Sequence, residues 1–284
     1  MLRPIRRMTA TAHEVTAPGS GRRIAIEGPP DELHDLADTI DGMLDRLDQS
    51  FASQRRFVAD ASHELRTPLA VITTEVDVAL DNRNASSEDL RDSLRRVHGA
   101  LGRTARLVES LLHLSRAEAA PIRLPHDLAD SAEEAVAIVK RLAIAPPRTE
   151  ADLASAPLSG DPVLLDRLVL NLVENACRYN IDGGFVRITT RLGAPAAERA
   201  TGFGSFLVVE TCGPVIDPEE VHRLFERFRR GSREANRRQG SDGNGLGLAI
   251  AKAVVDSHGG AITLAARPEG GLRVEVRFPG PCSA

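Results

Sequence analysis

His63 lies in the segment FVADASHELRTPLA (57–70), with Glu64 beside it and Thr67 four residues on. A free imidazole has a pKa of about 6.5, so near neutral pH most of it carries a nucleophilic, uncharged nitrogen. Glu64 can orient such a ring or accept its proton. On a helix, Thr67 and His63 share one side. Pro68 has no N–H for the carbonyl of Glu64, so the helical ladder is interrupted beside His63 and a bend is expected there. A second group, Asn171 and Asn175, sits one turn apart in LLDRLVLNLVENACRYN (164–180). A third, GNGLGLAIAKAVVDSHGG (243–260), sets Gly243, Gly245 and Gly247 ahead of a helix pattern. Glycines let a backbone approach phosphate, and a helix start offers N–H donors. Between these groups, RRGSREANRRQGSD (229–242) carries Arg229, Arg230, Arg233, Arg237 and Arg238 and almost nothing apolar. Such a stretch cannot fold alone, and its guanidiniums suit phosphate neutralisation. A neutral imidazole among phosphate-binding parts points to phosphoryl chemistry.

The elements that must hold these residues change character along the chain. Ile5, Met8, Ala12 and Val15 fall at helical steps, followed by a Gly/Pro-containing loop at 16–30. Asp31 and Glu32 then open a second helix, with Leu33, Leu36, Ile40, Met43, Leu47 and Phe51 on one seam. The pattern runs on through residue 81 and breaks at NRNASS (82–87), where Ser87 can cap a further helix. That helix carries Leu94, Val97, Leu101, Leu107, Leu111 and Leu114 as an apolar stripe. A single helical hairpin cannot bury both faces of its stripe. A second copy completing a four-helix bundle would, so a homodimer is expected.

From about residue 127 the pattern becomes mixed α/β. Helices are expected at 128–142, 161–180, 217–228 and 245–258, and strands at 185–192, 205–211, 261–267 and 272–278. PEGG separates the last two strands and signals a hairpin. The fold class is multi-domain: a helical hairpin followed by a two-layer α/β sandwich with a largely antiparallel or mixed sheet.

Composition narrows the partners. The net charge of −4 argues against nucleic acid as the main one. Aromatics are 3% of the chain with a single Tyr, so the cores must be aliphatic. The three cysteines have neither zinc nor disulfide spacing. No run of about 18 uncharged apolar residues occurs, although Arg3, Arg6 and Arg7 resemble the flank of a membrane helix on its cytoplasmic side.

The His63 segment resembles the H-box of sensor histidine kinases. The asparagine segment resembles the N-box of the ATP-binding superfamily that includes those kinases, Hsp90-type chaperones and gyrase (the GHKL, or Bergerat, fold). The glycine segment is similar to its G2 box, and RLFERFRRGS (223–232) to its F-box. The resemblance implies a partial HAMP-like relay at 1–50, a dimerisation and phosphotransfer hairpin at 51–120, and an ATP-binding domain at 127–280. It makes His63 the autophosphorylation site, with Glu64 and Thr67 assisting. Asn171 and Asn175 would serve the nucleotide, Asn175 through Mg²⁺, Arg178 would meet phosphate, and Tyr179 would pack near adenine. Phe225 would hinge a lid bearing Arg229 and Arg230, and Gly243, Gly245, Leu246, Gly247 and Leu248 would line the phosphates. The implied partners are a response-regulator receiver domain and a membrane sensor, supplied by a longer chain or a separate subunit. The implied location is the cytoplasmic face of the membrane if such a sensor is attached, and otherwise the cytoplasm.

One box departs from the pattern. Where the family's G1 box reads Asp-x-Gly-x-Gly, this chain has Thr211, Cys212, Gly213, Pro214 and Val215. Thr211 can still accept a hydrogen bond from adenine, but a neutral bond replaces a charge-assisted one, at a cost on the order of 1 kcal/mol. Glu210 cannot substitute, because neighbouring strand residues face opposite sides. Val215 disfavours positive φ, so the loop must take another path there. A dimeric signalling adaptor that binds no ATP is the alternative reading.

Overall fold

The computed structural model describes residues 32–82, 85–118, 122–142, 147–193, 203–228 and 245–280. The expected helix at 5–16 and its loop, residues 229–242 and Gly243 lie outside these described residues. The chain divides into two compact units, residues 1–70 and 71–284.

Helix α1 (Glu32–Asp81) is uninterrupted over 50 residues, with Pro68 inside it. The seam read from Leu33 onward therefore continues into the His63 segment as one element. Helix α2 (Ser87–Glu118) follows a short turn in which the Asn82 carbonyl accepts from Ala85 N–H at 3.1 Å. Its cap is Ser86 rather than Ser87. Ser86 Oγ accepts from the Asp89 N–H at 3.1 Å, and the Asp89 carboxylate accepts from the Ser86 N–H at 2.9 Å. This reciprocal box satisfies two otherwise orphaned donors. Arg96 ties α2 to Glu75 of α1 through Nε–H···Oε1 at 2.7 Å.

The apolar residues of α2 do not form one stripe. Ala100, Leu107 and Leu114 are buried, and Ser93 joins them at the same seven-residue step. Leu94, Leu101 and Val108 form a second seven-residue row, which is exposed, as is Leu112. Hydrophobicity along the sequence does not separate the two rows.

The α/β part contains β1 (Leu124–Asp127), α3 (Leu128–Leu142), β2 (Arg148–Leu153), β3 (Pro157–Gly160), α4 (Pro162–Arg178), β4 (Phe185–Leu192) and β5 (Phe203–Thr211). Then come α5 (Pro218–Val221), a 3₁₀ turn (His222–Phe225), α6 (Gly247–Ser257), β6 (Ala261–Ala266) and β7 (Leu272–Pro279). The main sheet has the order β2-β4-β5-β7-β6, with β2 parallel to β4 and the other pairs antiparallel. β1 and β3 make a separate antiparallel pair. The expected helix at 217–228 is only one short helical turn and a 3₁₀ turn. β1, β2 and β3 escaped the sequence reading because two contain Pro and RTEADL has no apolar alternation.

One face of the sheet is covered by the helices. Val186 and Ile188 of β4, Leu207 and Val209 of β5, and Val274 and Val276 of β7 are buried there with Leu164, Leu165 and Leu168 of α4. The opposite face is a chain of charges: Glu150–Arg187–Glu210–Arg273–Glu275–Arg277, with N···O distances of 2.8 to 3.4 Å. Guanidiniums also cover the aromatics. Arg191 lies 5.3 Å from the Phe206 ring centre, and Arg187 and Arg267 lie 5.0 and 4.9 Å from that of Phe185. Such stacking lets Phe206 be buried on the solvent side of the sheet.

Two outcomes are expected. Leu168→Ala should cost about 2–5 kcal/mol in urea unfolding, because it empties a fully buried site on α4. Partial burial alone would raise the Glu275 carboxyl, but its bonds to Arg273 and Arg277 outweigh this and hold it below its usual 4.5. A lowered carboxyl stabilises the fold above its ordinary pKa and loses that contribution as the pH falls through the folded value. Thermal midpoints taken from neutral to acid pH should therefore fall less steeply in Glu275→Gln than in the parent.

Candidate active site

Helix α4 organises the site. Asp161 caps its start: Oδ1 accepts from the N–H groups of Val163 and Leu164, and Pro162 occupies the first helical position. The other carboxylate oxygen accepts from Arg116 of α2, with Nη2–H at 2.9 Å and Nε–H at 3.2 Å. The Asp161 N–H donates to His258 Nε2 at 3.0 Å. His258 must then carry its proton on Nδ1, which donates to the Val254 carbonyl at 2.7 Å. Burial holds this imidazole below its ordinary pKa, consistent with a neutral ring. A side chain at Gly160 would come within 2.6 Å of that ring, so glycine is what lets β3 pass it.

From this anchor, α4 runs beneath a cleft of about 250 Å³. Asn171, Asn175, Arg178 and Tyr179 line it from α4, and Thr211 and Gly213 from the end of β5. Gly245, Leu246, Gly247 and Leu248 line it from the start of α6. The structure thus brings together groups separated by some 75 residues of sequence. Asn171 is buried, and its Nδ2 has no hydrogen-bond partner among the described residues. Gly245 has φ 63, and its carbonyl accepts from Phe228 N–H. A Cβ on Gly247 would stand 2.8 Å from the Asn175 amide. The glycines therefore admit the asparagine side chains to the cleft as well as a ligand.

Thr211 takes the inner side of β5 and Glu210 the outer, as the strand alternation requires. Glu210 pairs with Arg187 and Arg273. The buried Thr211 Oγ1 lies 2.8 Å from the Ala176 carbonyl, to which it donates, and this leaves its lone pairs to accept. Val215 is exposed, and Phe228 is the one described non-glycine residue with positive φ, so the loop does follow another path at Val215. Gly213 and Gly271 sit back to back: a Cβ on Gly271, at φ 97, would come within 2.0 Å of the Thr211 carbonyl. The PEGG turn is thus also a support for the cleft.

Not every expected site residue is found in the cleft lining. Phe225 does not line the cleft. Its ring centre lies 5.8 Å from Lys252 Nζ on α6, and the neighbouring Leu224 lines the cleft instead. Arg229, Arg230 and Gly243 lie outside the described residues. Arg106 and Ser110 of α2, and Arg167 of α4, line the cleft and were not singled out from sequence. Arg167 was legible, being four residues before Asn171 on the same helical face; Arg106 carried no local signal. Burial pushes the nearby Cys177 thiol up to about 11, which makes it inert at neutral pH.

In the first unit, His63 is exposed on α1, Glu64 is half-buried, and Thr67 Oγ1 donates to the His63 carbonyl at 3.3 Å. Among the described residues, no helix is long and apolar enough to cross a membrane.

The ATPase model described as histidine kinase-, DNA gyrase B- and HSP90-like matches residues 160–281. The His Kinase A phospho-acceptor model matches 53–120, and the HAMP model 1–49. The chain is 42% identical over 283 residues to the sensor protein CutS of Streptomyces coelicolor, covering 98% of this chain and 66% of CutS. It is 34% identical over 285 residues to the signal transduction histidine-protein kinase/phosphatase MprB of Mycobacterium avium, covering 98% of this chain and 50% of MprB. It thus spans only part of these relatives, just under two thirds of CutS and half of MprB. Among solved structures, the Acinetobacter baumannii histidine kinase AdeS matches with a TM-score of 0.57 at 23% identity, over 77% of this chain and 98% of that one, which supports the fold. With a phospho-acceptor segment and an asparagine- and glycine-lined cleft in a chain that three such models match in succession, this protein belongs to the sensor histidine kinases of two-component signalling.

Proposed function

We propose that this chain is the ATP-dependent kinase portion of a sensor: it phosphorylates His63 and passes the phosphoryl group to an aspartate of a response-regulator receiver domain. The observation that carries this reading is the buried Asn171 Nδ2, without a partner among the described residues, in a cleft that also holds Asn175 and a glycine-opened helix start. A magnesium triphosphate fits such donors. Asn175 offers a neutral oxygen to a metal that keeps waters and phosphate oxygens, and the α6 N-terminus offers backbone N–H groups. At the Thr211 end the sheet residues Val209, Thr211, Leu272 and Val274 that line the cleft are uncharged.

In the reaction, an imidazole nitrogen of His63 attacks the γ-phosphorus, an N–P bond forms, and the bond to the β–γ bridging oxygen breaks to release ADP. Glu64, adjacent to the acceptor, is the group that orients the ring and takes its proton. Thr67 shares the His63 side of α1 and is the candidate for holding water in the reverse, regulator-dephosphorylating reaction.

The exposed row of Leu94, Leu101 and Val108 on α2 supports a homodimer, because a seven-residue apolar row in solvent is a coiled-coil seam without its partner. The domain reading is a HAMP-like relay at 1–50, the hairpin at 51–120 and the ATP-binding domain at 127–280. A membrane sensor, in the same chain or another subunit, would deliver the signal and hold this portion at the cytoplasmic face. The neutral Thr211 in place of a carboxylate favours one second reading, a dimeric adaptor with a weakened nucleotide site.

Incubation with γ-labelled ATP and Mg²⁺ should give an acid-labile, alkali-stable label that His63→Gln abolishes. Labelled protein should then lose its label to a receiver domain. An unlabelled parent that still binds a receiver domain would establish the adaptor instead. Gly247→Ala, which pushes a methyl group against Asn175, should weaken Mg-ATP binding by calorimetry by about tenfold or more while leaving the unfolding midpoint nearly unchanged.

A further inference from the structure

The face of α4 that lines the cleft does not begin at Asn171. It begins a full turn earlier, at Arg167. Arg167 Nε is buried and has no hydrogen-bond partner among the described residues, and Asn171 Nδ2, one turn on, is in the same condition. Two adjacent buried donors on residues that line one cleft, with no acceptor among the described residues, call for an acceptor-rich ligand.

Position along the helix says which part of the ligand this is. Tyr179, Asn175, Asn171 and Arg167 follow one another at four-residue steps, about 6 Å of axis each. Tyr179 lies at the Thr211–Gly213 end, where the cleft floor is the neutral sheet. Asn175 stands at the Gly247 helix start. Arg167 is therefore at the far end, about 18 Å along the axis from Tyr179, where the tail of a nucleotide lies. That end is walled by α2. Arg106 and Ser110 line it, and His113 of α2 is near enough to Arg167 that, after burial itself, the guanidinium is the main influence holding its imidazole below the ordinary pKa. The wall is held by Arg116 on Asp161 and by Arg227 on Glu118 at 2.7 Å.

Building on the ATP reading above, we infer that Arg167 is a positioning residue for the terminal phosphate of the nucleotide, donating from Nε–H to a γ-phosphate oxygen at the α2 end of the cleft. The bland reading is that Arg167 only packs the seam between α2 and α4. The two differ in what ADP feels: a seam residue supports the cleft for either nucleotide, whereas a terminal-phosphate contact is absent with ADP.

The test is calorimetric binding of Mg-ATP and Mg-ADP to the full chain, its Arg167→Met variant and its Arg167→Lys variant. Arg167→Met should weaken ATP by about tenfold or more, the scale of a charge-assisted bond, and shift ADP by less than about twofold. Arg167→Lys, which keeps the charge but not the Nε donor, should recover part of the ATP affinity. Equal losses for ATP and ADP, or an unchanged ATP affinity, would overturn the inference and leave the kinase reading intact. If the parent chain binds neither nucleotide at millimolar concentration, the ATP reading itself fails, and this inference with it.

Discussion

The carboxylate of Asp161 is the point on which the arrangement of this protein turns. It is buried, yet each of its oxygens is used: one caps α4 and the other receives Arg116 from α2. Its own N–H is taken by His258 at the end of α6. A single residue thus fixes the start of the asparagine-bearing helix relative to the helix that follows the glycines and to the hairpin helix beside it. Charge-assisted bonds of this kind are stronger than neutral ones and are costly to break when buried. The position of Asn171 and Asn175 is inherited from that anchor, about three and four turns along a rigid α-helix.

The sheet performs a different task. Its inner face is aliphatic and presses on α4, which leaves α4's polar face to the cleft. Among the described residues, no layer covers its outer face. There, alternating Arg and Glu form a charge chain across the strands, and guanidiniums stack on Phe185 and Phe206. A chain with 3% aromatics and no Trp can close its core in this way because the stems of long arginines shield apolar surface while their heads stay wet. Those exposed pairs contribute little individually. Their geometric effect is to occupy both oxygens of Glu210, which the strand alternation already turns away from the side where its neighbour Thr211 stands.

The altered G1 segment shows how backbone and side chain are coupled. A valine cannot follow the path a glycine allows, and the loop passes Val215 exposed and without positive φ. The close approach is made elsewhere, by Gly213 against Gly271 at the β6–β7 turn. The cleft floor survives the change because two glycines that meet across the turn leave room for the Thr211 carbonyl. The sheet residues that line the cleft are uncharged, and α2 contributes Arg106 to its lining.

Much of this was determined by the sequence alone. The long helices, the α4 cap at Asp161, the strands of the main sheet that alternate or run apolar, and the identities of His63, Asn175 and Gly247 are local patterns. Periodicity, capping chemistry and glycine spacing all act over a few residues and can be read there. Tertiary structure decided the rest. Whether an apolar residue of α2 faces its own chain or solvent depends on what α6 covers, so Leu107 and Leu101 cannot be told apart by hydrophobicity. The strand RTEADL exists because Phe185–Leu192 lies parallel beside it, not because its residues favour extension. Arg106 reaches the cleft because Arg116 binds Asp161, an interaction across 45 residues that no local pattern encodes. Contacts between distant segments are fixed by the free energy of the whole packing, and a local window contains only one side of each.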